Sequence, residues 1–337
     1  MERNNKELSK AITIGALLKI DIGNPNAGWS EGIVTVLKKV ERPDGKVHPY
    51  ISGQALRRYL RDTLGELLSV LPEEESSGEK LSPLQPSNDP KAPIITEGNP
   101  QEYIDDDLFG FMRAVRGKTK RRESPLRVSP AFGLFPYAGD RDLGTKSALE
   151  VRETAEAGGA MFETEITNNI FRTTLLLELD RVGKWKKWEI ASETEEESEE
   201  EREGEIPQNK RKNRVILLLK ALKYLWGGGR RSRFLMDLTP QFIIYARMSK
   251  KIPLFLNAIN VYFEDGRYVL DEEMLKEVIR DYESDIQKLI VGVRRGFFGN
   301  SDLSALKTIK INNAELQILS VGKAIDDMQE DVKVANF

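Results

Sequence analysis

The residues of this chain that could do chemistry are mostly cations, and the first group of them opens a predicted helix. It consists of Ser52, Gly53, Gln54, Arg57, Arg58 and Arg61. At 100° per residue the three arginines fall within about 100° of one another, beside the leucine face of the helix. The small residues at the start would let a phosphate approach the free amides of the first turn. The group therefore predicts a phosphate-binding surface; the alternative is a solvated face on a core helix.

A second basic group lies further along the chain. Seven cations fall within fifteen residues: Arg113, Arg116, Lys118, Lys120, Arg121, Arg122 and Arg127. Arg113 and Arg116 share one face of a predicted helix, and the later members follow in a predicted loop. Such a cluster favours contact with nucleic acid, and its alternative is a surface that only keeps the protein soluble.

The third basic group combines glycines with arginines and follows a predicted helix. Its members are Gly227, Gly228, Gly229, Arg230, Arg231 and Arg233. Glycine allows close approach to the backbone, and arginine suits bidentate recognition of phosphate. The spacing is not that of a P-loop, because no Gly-Lys-Ser/Thr opens a helix. The group predicts a phosphate-binding loop; the alternative is a helix stop followed by unrelated arginines.

An aromatic-rich segment between Ser129 and Glu163 completes the candidates. It contains Phe132, Phe135, Tyr137 and Phe162, together with the pair Gly158-Gly159. Aromatic side chains stack on unpaired bases, so a projecting hairpin that inserts between bases would use these residue types. Phe135 is the candidate contact, and the alternative is that these are ordinary core aromatics.

Candidate catalytic groups are few. The chain has no cysteine and one histidine, which excludes a disulfide scaffold, a zinc-thiolate site, an iron–sulfur cluster and a cysteine nucleophile. His48 precedes Pro49 in a predicted strand, where we expect a structural role. Asp21 and Glu31 bracket a glycine-flanked loop that could carry a metal-bound carboxylate. We predict no cofactor, no metal and no enzymatic activity.

Charge is unevenly distributed along the 337 residues, a length that suits about two domains or one core with large insertions. Residues 189–205 hold ten glutamates against one arginine, and removing this local −9 from the overall −3 leaves +6 for the rest. The remainder is thus basic enough for a nucleic-acid partner. No apolar run approaches the length of a membrane span, so we expect an unanchored, cytoplasmic protein with no membrane partner.

Hydrophobic periodicity predicts the elements that position these residues. The predicted strands are 11–20, 33–40, 47–51, 161–166, 171–180, 241–247 and 254–263. The predicted helices are 53–70, capped by Ser52, then 105–115, 214–226 and 272–290. Two polar segments, 72–100 and 189–205, predict flexible loops. The order is that of an α+β fold with the split β-α-β pattern of a ferredoxin-like or RRM-like sheet.

Four motifs in this order resemble a known family. They are Tyr50–Arg61, Asp107-Leu108-Phe109-Gly110-Phe111-Met112, the stretch from Gly158 to Arg172, and the stretch from Arg214 to Phe242. Together they are similar to the DevR branch of CRISPR-associated RAMP proteins, the repeated backbone subunit of type I Cascade. The resemblance implies an RRM-like palm with finger and thumb insertions.

The resemblance divides the chain into six parts. They are 1–71, the first half of the palm; 72–128, a flexible loop and finger-type insertion; 129–163, a thumb-like segment; 164–188, palm strands; 189–212, an acidic disordered insertion; and 213–337, the second half of the palm with C-terminal helices. In this scheme Gln54 and the arginines of the first and third basic groups grip the RNA backbone.

The same resemblance implies partners. They are a CRISPR RNA, target DNA, copies of the chain in a helical filament and other Cascade subunits. A type III-like backbone subunit that cleaves target RNA is the first alternative, but the loop 23–30, where that enzyme keeps its catalytic aspartate, contains none. A generic scaffold for single-stranded RNA is the second alternative.

Overall fold

A computed structural model describes residues 8–84, 95–115, 118–146, 160–186, 189, 203–228, 233–300, 303–312 and 314–337. The strands are β1 Ala11–Gly23, β2 Ala27–Glu31, β3 Val34–Leu37, β4 Lys39–Glu41, β5 Val47–Ile51, β6 Phe111–Val115, β7 Lys118–Arg122, β8 Leu126–Val128, β9 Ala131–Gly133, β10 Arg141–Lys146, β11 Ala160–Glu165, β12 Thr167–Glu178, β13 Lys184–Lys186, β14 Glu203–Glu205, β15 Pro240–Met248, β16 Val261–Glu264, β17 Arg267–Leu270, β18 Ile286–Val293, β19 Lys310–Ile311, β20 Ala314–Glu315 and β21 Ile318–Leu319. The helices are α1 Gly53–Val70, α2 Glu73–Ser76, α3 Ile104–Phe109, α4 Gln208–Lys223, α5 Glu272–Asp281, α6 Ser304–Lys307 and α7 Val321–Val334, with a 3₁₀ turn at Glu283–Asp285.

A large sheet organises the fold. Its described strands run in the order β21-β18-β15-β1-β12-β9-β5-β4, and β8 also pairs with β12. The central strand β1 is antiparallel to both neighbours, with Ile14 opposite Leu175 on one side and Tyr245 on the other. The α+β class predicted from the sequence is confirmed. No helix in the described part of the chain combines the length and apolar composition needed to cross a bilayer.

The first face of this sheet packs against helices. Alternate residues of β1, among them Ile12, Ile14 and Leu18, are buried in a core that they share with α1, α4 and α7. In α1, Leu56, Leu60 and Leu64 recur at helical spacing, and each of these side chains is buried, with at most 2% of its surface exposed. The leucine pattern that predicted the helix is therefore its core face.

The second face packs against the described residues of 249–285 and 294–316, on either side of β18 in the chain. Leu17, Phe242 and Ile244 point to this side and share a core with Phe255 and Ile259. Gly15 permits the close approach, because a Cβ there would clash with the side chains of Phe255 and Ile259. The middle of the sheet is thus covered on both faces.

A smaller four-stranded sheet stands beside the large one, in the order β10-β11-β3-β2. β10 and β11 form an antiparallel hairpin, and β11 runs parallel to β3. This hairpin lies within the segment 129–163 predicted to project, whereas β9 of the same segment belongs to the large sheet. The hairpin's end, residues 147–159, lies outside the described residues.

Buried ion pairs connect the elements on the helical face. Asp107 of α3 pairs with Arg122 and Arg214, and Arg214 also pairs with Glu79 at 2.9 Å. Arg214 is fully buried and donates further bonds to the carbonyl groups of Pro100 and Gln101. The segment predicted as a flexible loop over 72–100 is therefore anchored at both its ends by one arginine; residues 85–94 of it are not described.

Three predicted elements differ from the structure. The helix over 105–115 ends at Phe109, because Gly110 has φ = +67° and β6 follows. The predicted strand over 254–263 is mostly turns, and only Val261–Phe263 lies in β16. The helix over 272–290 ends at Asp281, and Ile286–Val293 instead forms β18 beside β15, a strand that its four β-branched residues favour.

The expected disordered insertion over 189–212 is also corrected. α4 begins at Gln208 rather than Arg214, and β14 pairs with β13. Arg211 anchors this stretch by donating to the carbonyl groups of Leu179, Val182 and Phe337. The start of α4 could not be predicted, because residues 208–214 are all polar and so show no apolar periodicity. Its buried positions in this stretch, Arg211 and Arg214, are occupied by hydrogen-bonded arginines. Residues 187–188 and 190–202 lie outside the described residues.

Candidate nucleic-acid interface

The start of α1 is built as the sequence predicts. The Ser52 hydroxyl accepts from the Ala55 amide at 3.3 Å, which makes Ser52 the N-cap. Gly53 has a different role from the expected one, because a Cβ there would collide with the carbonyl oxygen of Val128. Its small size is required by the approach of β8, and Gln54 beside it is exposed.

The three arginines of α1 do not share one role. Arg57 donates to the Phe109 carbonyl, and burial lowers its pKa. Arg61 pairs with the buried Asp105 at 2.7 Å. Both side chains hold α3 against α1, whereas Arg58 is more than half exposed and, among the described residues, forms an ion pair with Asp62 one helical turn away. Arg58 is therefore the α1 arginine best placed to reach a ligand.

An open depression of about 240 Å³ lies beside these residues. Its lining includes Gln54, Arg57, Arg58, Arg61, Phe109 and Gly110. Its charged lining suits an anionic group, since the lining residues include three arginines and one carboxylate, Asp105.

Gly227 and Gly228 of the third basic group lie close to α1 and to the turn at Pro25. Gly228 has φ = +104°, and a Cβ there would meet the Met236 side chain and approach the backbone of Pro25. Pro25 accepts through its carbonyl from the Tyr59 hydroxyl of α1 at 2.8 Å. Gly229, Arg230 and Arg231 lie outside the described residues, in the short gap between Gly228 and Arg233.

Arg233 connects this loop to the β10–β11 hairpin. Its guanidinium group lies 4.4 Å from the centre of the Phe162 ring, forms an ion pair with Asp142 and donates to the Thr164 hydroxyl at 3.3 Å. These contacts hold the Arg233 side chain against the smaller sheet. Arg233 is therefore engaged within the protein rather than offering a free charge.

The second basic group and Phe135 lie elsewhere. Arg113 is on β6, not on a helix, and donates to the Glu97 carbonyl at 2.8 Å; Arg116 lies outside the described residues. Phe135 is not at the end of the hairpin. It packs against Phe263 and Tyr268, and the Asn169 side chain bonds both its amide and its carbonyl.

The chain is similar in sequence to CRISPR-associated proteins. Residues 29–267 match the family model described as "CRISPR-associated negative auto-regulator DevR/Csa2". The chain belongs to this DevR/Csa2 family. A relative from Myxococcus xanthus, "CRISPR-associated protein Cas7/Cst2/DevR", is 33% identical over 126 residues, which are 34% of this chain and 39% of the relative. The match thus spans about two fifths of that relative's length.

Two solved structures resemble the DevR/Csa2 chain over nearly its whole length. One, described as "CRISPR RNA-guided surveillance complex, pre-nicking", has a TM-score of 0.57 at 14% identity and covers 96% of this chain and 100% of its own. The other, "CRISPR RNA-guided surveillance complex", has a TM-score of 0.56 at 17% identity and covers 95% and 98%. At these identities the similarity is one of fold.

The turn around Pro25, which was not among the predicted RNA-binding residues, joins the candidate interface. The Asn26 side chain accepts from the Ser52 amide at 2.8 Å, and Asn24 donates to the Glu165 carbonyl at 2.9 Å. The turn thus brings α1, the glycine loop and β11 together. Its one sequence signal is the Asn-Pro-Asn run, which is typical of a turn but does not identify the partners.

Proposed function

We propose that this protein is a CRISPR RNA-binding backbone subunit of a type I Cascade surveillance complex. Copies of it join along the guide RNA in a helical filament, with other Cascade subunits, and hold the guide for pairing with target DNA. The observation that carries the proposal is the fold, which matches whole chains of RNA-guided surveillance complexes. Membership of the DevR/Csa2 family supports it independently.

The sheet order supports a ferredoxin-like palm as the body of this subunit. Along the chain, β1 is followed by α1, then β8 and β9, then β12, α4 and β15. In space these strands lie in the order β15, β1, β12, then β8 and β9. That arrangement is the one a split β-α-β unit produces. In our proposal the β10–β11 hairpin is the thumb and the elements of 72–128 that precede β8 are the finger.

We place the grip on the RNA backbone at the start of α1 and the adjoining glycine loop. Gln54 and Arg58 are exposed there, and Arg230 and Arg231 follow Gly228 in the sequence. Replacing Arg230 and Arg231 by Glu removes two charge-assisted donors and adds repulsion, so affinity for guide RNA falls at least tenfold. Arg233 is left in place because its contacts are internal. A fluorescence-anisotropy titration with guide RNA measures the effect.

The matched control replaces Arg294 and Arg295 by Glu; these two arginines are an adjacent and exposed pair in a different turn. This variant has the same change of net charge, and we expect it to bind within about threefold of the wild type. Equal losses in the two variants would show a general charge effect and contradict the assignment. Unchanged binding by the Arg230→Glu, Arg231→Glu variant would contradict it directly.

We further propose that the chain does not cleave target RNA. The support is the state of the two carboxylates nearest the loop 23–30. Asp21 pairs with Lys19 at 2.7 Å, and Glu31 accepts from the Trp29 indole at 3.0 Å. Incubating the RNA-loaded protein with complementary RNA and Mg²⁺ or Mn²⁺ tests this. We expect intact RNA, whereas cuts abolished by Asp21→Ala or Glu31→Ala would favour the type III-like alternative.

A further inference from the structure

Part of the second face of the large sheet is not covered by the described residues of 249–285 and 294–316. Leu17, Arg172, Phe132 and Tyr50 lie opposite one another on successive strands, and residues paired in this way share a face. Leu17 is fully buried in the second core. The covering layer ends at Arg172, which donates to the Ile259 carbonyl at 2.8 Å. Beyond it, Phe132 and Tyr50 remain partly exposed.

The Phe132 ring is held in place from within the sheet. His48 stacks on it, with ring centres 5.1 Å apart and planes 15° from parallel. His48 is itself buried, and its Nδ1 lies 2.7 Å from the Gly133 carbonyl oxygen. The guanidinium group of Arg42 lies 5.8 Å from the centre of the Phe132 ring. An aromatic ring is therefore fixed in orientation beside a cation.

Arg42 and Arg172 form a pair of like charges at this place. Burial lowers the pKa of Arg172, and the nearby Arg42 lowers it further. Among the ion pairs of the described residues, neither guanidinium group has a carboxylate partner. Two adjacent cations, one of them half-buried, destabilise each other unless an anion joins them. The site therefore has the charge of a binding site for an anionic ligand.

We propose that Arg42, Tyr50, Phe132 and Arg172 form a platform that binds single-stranded RNA. The two arginines hold backbone phosphates, and the aromatic side chains stack on an unpaired base. An open sheet face with aromatic side chains beside cations is the arrangement that suits single strands, because every base has a π face and every nucleotide a phosphate. The inference rests on the proposed RNA-binding function and adds a contact surface distinct from the start of α1.

The first test compares single variants in binding to a fluorescein-labelled 30-nucleotide single-stranded RNA. Arg42→Gln removes one phosphate contact, so we expect at least threefold weaker binding and a salt dependence of log K shallower by about 0.7. Phe132→Leu keeps the apolar volume and removes the stacking ring, with an expected loss of at least fivefold. Arg280→Gln changes an exposed arginine at the end of α5 and is expected to bind within twofold of the wild type.

The outcomes separate this inference from the function on which it rests. If the wild type binds the RNA and Arg42→Gln and Phe132→Leu bind equally well, the platform is wrong and the function stands. If the wild type does not bind the RNA, both are overturned. Binding of a glutamate-rich peptide in place of RNA, lost in Arg42→Gln, would replace the RNA by an acidic protein partner.

A second measurement needs no variant and so does not depend on how well a variant folds. RNA that contains 4-thiouridine is cross-linked to the wild-type protein by light, and the attached peptides are identified by mass spectrometry. We expect cross-links within residues 47–51 and 131–135, which carry Tyr50 and Phe132. Cross-links confined to other segments would contradict the platform.

Discussion

At the scale of single residues, Arg214 shows how a buried charge can be fully partnered. It is completely buried and bonds Glu79, Asp107 and two backbone carbonyl groups. Replacing Arg214 with Leu leaves the buried Glu79 with Lys210, 3.7 Å away, as its remaining cation among the described residues, and it removes one of the two buried arginines that pair with Asp107. We expect the free energy of unfolding to fall by about 3–5 kcal/mol. Urea unfolding followed by circular dichroism measures the change.

The control for this substitution is Lys220→Ala on the same helix. Lys220 pairs with the exposed Glu75 at 2.7 Å, and such surface pairs contribute about 0–1 kcal/mol. We expect the Lys220→Ala protein to unfold near the wild-type urea concentration. Equal effects of the two substitutions would show that the buried cluster does not anchor the segment that follows α1.

The burial of Tyr245 predicts how the free energy of unfolding changes at alkaline pH. Its hydroxyl donates to Asp331 at 2.8 Å, and burial raises the pKa of Tyr245 well above 10.0. The unfolded chain releases this proton near pH 10 while the folded chain retains it. The contribution of Tyr245 to the free energy of unfolding is therefore complete below pH 10 and is lost as pH rises further. The slope is about 1.4 kcal/mol per pH unit for this one group.

The matched variant for this prediction is Tyr245→Phe. It removes the titrating hydroxyl but leaves Asp331 paired with Arg247, which bonds both carboxylate oxygens. We expect its unfolding free energy to decline less steeply between pH 10 and 11 than that of the wild type. Parallel declines in the two proteins would contradict the assignment of this titration to Tyr245.

At the scale of elements, the acidic segment separates into anchored ends and a central run. Glu189 is buried and pairs with Arg122, and Glu205 pairs with Arg211 at 2.8 Å. Replacing residues 190–202 with a short Gly-Ser linker removes seven glutamates and one arginine but neither anchor. We expect the melting temperature to change by less than about 2 °C, as a self-repelling segment contributes little packing.

Deleting the whole of 189–205 has a different expected result. It removes the carboxylates beside Arg122 and Arg211 and the strand that pairs with β13. Uncompensated buried charges are costly, so we expect the melting temperature to fall by at least 5 °C. Differential scanning calorimetry compares the two deletions, and equal melting temperatures would contradict the anchoring role.

Local signals determined which elements could be predicted. α1 was predictable from Ser52 to Val70, because a cap, a helical leucine repeat and buried packing all agree. β18 was not, since its apolar residues directly follow a helix and suit either period until β15 pairs with them. The roles of Arg57, Arg61 and Arg211 were also hidden: a sequence shows a cation, whereas its partner comes from a distant part of the chain.

At the scale of the whole molecule, our proposal predicts assembly that depends on RNA. The chain joins its copies along a guide, so we expect small species alone and large particles once guide RNA is added. Light scattering before and after RNase treatment, with removal of all RNA verified, measures this. Equally large assemblies without RNA would contradict assembly along a guide.

The central claim is that this DevR/Csa2 protein holds a CRISPR RNA. Its most direct test is to purify the protein from its native host and sequence the RNA that accompanies it. Our account predicts transcripts made of CRISPR repeat and spacer sequence, strongly enriched over total cellular RNA. A mixture of unrelated cellular RNAs in proportion to their abundance would contradict the account and favour a generic scaffold for single-stranded RNA.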